Sequence, residues 1–106
     1  SNTNLIGNGS TASSGRSTSA TSILLDYSGL NTTNPNLYEI DIFSYAGSTY
    51  KTVLVRTSED NNGSGDTRSA VGLWRSTSAI TSLRLYQGTY TFAAGTIATL
   101  YGILAA

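Results

Sequence analysis

The chain has 106 residues, room for one domain and one core, and a domain of this size buries roughly 60–70% of the surface its unfolded chain exposes. Six Lys/Arg balance six Asp/Glu to a net charge of zero, and the basic residues Arg16, Lys51, Arg56, Arg68, Arg75 and Arg84 are scattered, which excludes the clustered basic face of a duplex-binding protein. Cys, His and Met are absent, so thiol nucleophiles, imidazole bases, disulfides and the usual zinc ligands are excluded too.

Ser and Thr supply 32 of the 106 residues, so the polar surface is mostly hydroxyl and amide. The hydrophobic 39% is gathered in short runs, which favours a fold over disorder. A chain without net charge has no self-repulsion to oppose association. No apolar run approaches 18 residues and no signal-peptide core is present, so the expectation is a soluble chain that does not span a membrane. Ser1 in place of Met fits removal of an initiator Met or excision from a longer chain.

Residues 1–21 are nearly all small and polar, with Leu5 and Ile6 the only large apolar side chains. They read as an extended arm, a weak strand followed by a loop, or a loose tail. A single β-sandwich domain is expected from 22 to 106. Ile23-Leu24-Leu25-Asp26-Tyr27 is β-rich, and Asn34-Pro35-Asn36 is a turn signal. Leu37–Phe43 alternates, with Tyr38, Ile40 and Ile42 on one face and Glu39 and Asp41 on the other. Thr49–Arg56 is the return strand of an antiparallel hairpin.

Residues 58–67 form the most polar loop. Strands are expected at Ala70–Trp74, Ala79–Tyr86, Tyr90–Phe92 and Thr96–Leu104. No segment sustains a 3.6-residue period, and turn signals recur at roughly 8–12 residues, the spacing of a sandwich or barrel. In the last segment Ile97, Thr99, Tyr101 and Ile103 share one face, and Ala98, Leu100, Gly102 and Leu104 the other. Both faces are largely apolar, so this strand is expected to be covered on both sides, the second by a sister subunit.

Without imidazole or thiol, carboxylates are the remaining catalytic inventory. Glycosidases set two across a scissile bond. Glu39 and Asp41 are neighbours on one strand face, and a solvated outer face explains them better. Asp60, Asn62, Ser64 and Asp66, with Gly65 sixth, resemble the first half of a calcium loop, but the twelfth position is Val71 instead of a bidentate Glu. A hairpin tip explains the same residues, because Asn and Gly supply positive φ. No cofactor is expected. Trp74 beside Arg75 is a candidate glycan platform, although Trp74 in the core with Arg75 outside is the favoured placement. Tyr50 and Tyr90, near turns, are further candidate glycan contacts.

Leu73-Trp74-Arg75-Ser76-Thr77-Ser78-Ala79-Ile80-Thr81-Ser82-Leu83, followed by Phe92-Ala93-Ala94-Gly95-Thr96-Ile97-Ala98-Thr99-Leu100-Tyr101-Gly102-Ile103, resembles the C-terminal signature of a family of tailed-bacteriophage virion proteins. The resemblance implies an all-β, jelly-roll-like sandwich without enzymatic activity, on the particle exterior after assembly in the host cytoplasm. Capsid decoration proteins, head fibres and tail-fibre tips of this kind commonly form trimers. Little precedes Leu5 in this chain, so an eight-strand roll is short of an edge that a neighbouring subunit supplies.

The expectation is therefore a homotrimeric virion structural protein. Its partners are other virion proteins, major capsid or fibre chains, with no nucleic acid and no membrane. Leu5, Ile6, Leu100, Tyr101, Ile103 and Leu104 are the candidate assembly residues. The rival readings are a receptor-binding tail-fibre module for host surface glycan and a free-standing carbohydrate-binding domain.

Overall fold

A computed structural model describes residues 1–25, 33–88 and 91–103. Its regular structure is one five-stranded sheet: β1 Asn2–Gly7, β2 Ala12–Ser17, β3 Leu37–Ile42, β4 Lys51–Asp60 and β5 Gly65–Trp74. The spatial order is β2-β1-β5-β4-β3, and every neighbouring pair is antiparallel. The all-β class is as expected.

The centre is the β4–β5 hairpin, ten residues in each strand. Its two-residue tip is Asn62-Gly63, both at positive φ, closed by Asn61 N–H donating to Ser64 O at 2.6 Å. Asn-Gly suits that geometry because Asn tolerates the left-handed region and Gly enters it freely. β3 pairs with β4 in the register Ile42 with Val53 and Ile40 with Val55, and Ile40 and Ile42 share the core face, as the alternation of 37–43 predicts.

Of the readings open for residues 1–21, a weak strand is present as β1, and β2 stands where a loop was expected to follow it. Asn8 folds β1 back onto β2 by accepting at Oδ1 from the N–H groups of Ser10 and Thr11, at 3.0 and 2.8 Å, with Gly9 at φ 84°. β1 then pairs on its other side with β5, from Asn2 opposite Gly72 to Gly7 opposite Thr67. Residues 2–17 thus supply two strands of the sheet, one of them internal.

Alternation divides the sheet into two faces. One carries the core of Val53, Val55 and Ala70, packed by Ile23, Leu25, Ile40 and Ile42. Each fully buried Val contributes about 1.5–3 kcal/mol. Gly72 lets the crossing chain come close: a Cβ there would lie 2.6 Å from Ile23 Cγ2. Residues 23–25, expected in a strand, cover the core outside any strand, while Asp26 and Tyr27 lie outside the described residues.

The described residues after Trp74 contain no strand, against the expectation for 79–86, 90–92 and 96–104; Tyr90 and Leu104 lie outside the described residues. The described strands thus form one sheet with a cover on one face, where two packed sheets were expected.

Candidate assembly surface

On the face opposite the core, Leu54 lies directly across from Val71, Leu73 follows two residues along β5, and Leu5 stands diagonally beside them on β1. Leu5 and Val71 are exposed, and Leu54 and Leu73 are half-buried. Polar residues flank this patch. Glu39 pairs with Arg56 at 3.5 Å, and both side chains are more than half exposed, so the pair contributes little to stability.

The chain beyond Trp74 supplies a second apolar surface. Ile97 is 87% exposed, Leu100 79%, Tyr101 82% and Ile103 87%. Thr96 N–H donates to Ala93 O at 3.2 Å in a local turn. This segment has the β-branched and aromatic composition of a strand and lies outside every strand pairing of the sheet.

Two ties fix where this chain leaves the sheet. Ile80 N–H donates to Tyr45 O at 2.8 Å. The other is Lys51, the first residue of β4, whose side chain is wholly buried. Its Nζ donates to Gly47 O and Thr49 O, both at 2.8 Å, and to Ser76 O at 3.2 Å. An ammonium has three donors and no acceptor capacity, so three carbonyls complete its hydrogen bonding. Lys51 joins the β3–β4 connection to the start of the C-terminal segment.

The sequence-predicted assembly residues divide. Leu5 lies in the open patch. Ile6 points to the opposite face, half-buried beside Arg68 in the pairing register. Leu100, Tyr101 and Ile103 are exposed, whereas a covered strand was expected; Leu104 lies outside the described residues.

Trp74 is 46% exposed and so stands outside the core where it was expected, because among the described residues no second sheet lies over this end. Arg75 is exposed beside it. Trp74 pairs in register with Lys51, which places it near Tyr50 at the same end of the sheet as Phe43 and Tyr45, all exposed. Tyr90 lies outside the described residues.

The expected loop 58–67 is the β4–β5 tip with the ends of its strands. Asp60 Oδ1 accepts from Asn62 N–H at 2.8 Å. Asp66 is held by Arg68: Nε donates to Oδ1 at 3.0 Å and Nη2 to Oδ2 at 2.5 Å. Ser64 is exposed and closes the tip through its backbone oxygen. The candidate calcium residues are thus turn-forming and ion-paired, and the described residues contain no group of three or more acidic, His or Cys side chains that could hold a metal.

Sequence reasoning missed three features. The β1–β2 hairpin was signalled by Asn8-Gly9 after Leu5-Ile6, a turn signal set in a polar stretch, whereas the pairing with β5 that makes β1 internal had no local signal. The burial of Lys51 and of the Arg68–Asp66 pair had no local signal, since charged residues in strands usually face water.

Compared with protein-family models, with curated proteins and with solved structures, the chain matches none. The described residues include no helix long and apolar enough to cross a membrane.

Proposed function

We propose that this chain is a non-enzymatic structural protein of a tailed-phage particle, on the capsid exterior or in a fibre, acting through contacts between protein chains. The observation that carries the reading is the exposed, strand-like segment 96–103. Its apolar side chains suit a protein–protein contact, and large exposed apolar patches mark such sites. The jelly-roll-like sandwich belongs to the same reading, with its second layer completed on assembly, and so does the trimer. The likeness of residues 73–83 and 92–103 to virion proteins supplies the location.

The test is mass spectrometry of density-purified particles of the phage that encodes the chain. Tryptic peptides 57–68 and 69–75, bounded by Arg56, Arg68 and Arg75, are expected in the particle fraction in constant ratio to the capsid protein. Their presence in the lysate and absence from particles overturns the reading.

A second reading has its own observation. Phe43, Tyr45, Tyr50 and Trp74 are exposed at one end of the sheet, a set of rings suited to stacking on sugar faces. Binding of host surface polysaccharide, lost in Trp74→Ala and retained in Leu100→Asp, would favour a receptor-binding module.

A further inference from the structure

The geometry points to exchange of the C-terminal segment between copies of this chain: residues 96–103 of one copy pack on the open Leu5, Leu54, Val71 and Leu73 face of another. This inference rests on the structural-protein reading and names the partner of its contact surface as a second copy.

The first argument is area. The chain exposes 8042 Å². A folded monomer of 11.1 kDa is expected to expose about 5,700 Å². The excess, roughly 2,300 Å² per chain, is nearly three times the ~800 Å² that each partner contributes to a standard stable interface, and it falls in the range of obligate assemblies. The radius of gyration agrees: 14.9 Å, against about 13 Å for a compact chain of this length. The surplus includes apolar strand-forming side chains at 79–87% exposure.

The second argument is complementarity within one sequence. The sheet has one covered face and one open face with an apolar centre, and the C-terminal segment lacks a sheet to lie on. A second layer on the open face buries both and yields the two-layer arrangement that a single amphipathic sheet requires. Zero net charge, with few and dispersed ionic groups, removes the electrostatic cost of bringing copies together. Segment on face is a heterologous contact, which closes into a ring of copies if the rotation permits. Lys51, gripping Ser76 O, and Tyr45, accepting from Ile80, set the direction in which the segment departs.

The chain has no Cys, so cross-linking can be read without background thiols. Full-length Val71→Cys is refolded together with full-length Leu100→Cys, and separately with Tyr101→Cys to sample both faces of the segment. Each mixture is treated with a short bis-maleimide. The expected result is a covalent species of about twice 11.1 kDa in at least one mixture, with little from any variant alone, together with a native mass of unsubstituted protein above one chain by light scattering. Equal cross-linking by Val71→Cys alone indicates face-to-face pairing and overturns the exchange. An intrachain link in a Val71→Cys/Leu100→Cys or Val71→Cys/Tyr101→Cys double variant, with a monomeric native mass, shows the segment folding back on its own sheet and also overturns it. A monomer that nevertheless copurifies with phage particles removes the exchange and leaves the virion reading standing. An exchanged oligomer absent from particles does the reverse.

Discussion

Replacing Lys51 by Met keeps most of the buried stem and removes the ammonium. The loss is three hydrogen bonds from a charged donor, to Gly47 O, Thr49 O and Ser76 O. Each such bond contributes about 1.5–3 kcal/mol. The full sum overstates the effect, because the wild type bears a desolvation cost of several kcal/mol for the buried charge. The freed carbonyls also belong to half-buried or exposed residues and regain water. The expected net loss is about 2–4 kcal/mol, with a drop in Tm of roughly 10–20 °C for a domain of this size. Urea unfolding followed by circular dichroism measures it. Because Ser76 begins the C-terminal segment, proteolytic cleavage after Arg84 should also accelerate under native conditions. A Lys51→Met protein within about 0.5 kcal/mol of wild type would refute the reasoning, since that is the range of an ordinary surface substitution.

Asp66→Ala removes the carboxylate that accepts from Arg68 Nε and Nη2 and should cost about 1.5–3 kcal/mol. The double variant Asp66→Ala/Arg68→Met should lose less, which the same urea assay tests. Gly72→Ala places a methyl against Ile23 and should cost about 1–3 kcal/mol, with partial recovery on Ile23→Ala in a double-mutant cycle. Gly63→Ala forces a side chain into φ 128° at the hairpin tip and should lower stability by about 1 kcal/mol or more in thermal unfolding. Millimolar calcium should leave Tm unchanged, because Asp66 is engaged by Arg68 and Asp60 by the turn; a concentration-dependent rise would contradict that assignment.

Chemistry, class and local pairing were legible in the sequence by itself. The inventory without His or Cys depends on no conformation. The alternation of 37–43 specifies which side chains share a face, because a strand has a period of two wherever it lies. Asn62-Gly63 specifies a hairpin tip through its own backbone preferences. These are short-range properties, and β3 and β4 carry them as read.

Non-local pairing was decided only by the tertiary structure. Residues 12–17 have little strand character, yet form β2 because β1 offers them a backbone edge. β1 is internal because β5 pairs with its other side, across the intervening residues 8–64 that no local pattern spans. The same long-range choice buries Lys51 under three carbonyls and Arg68 against Asp66, where composition suggests a solvated surface. It also accounts for the largest departure. Residues 97–103 have the side chains of a strand, but a strand requires partners for its N–H and C=O groups and cover for its apolar faces. The sheet of a single chain leaves Ile97, Tyr101 and Ile103 exposed.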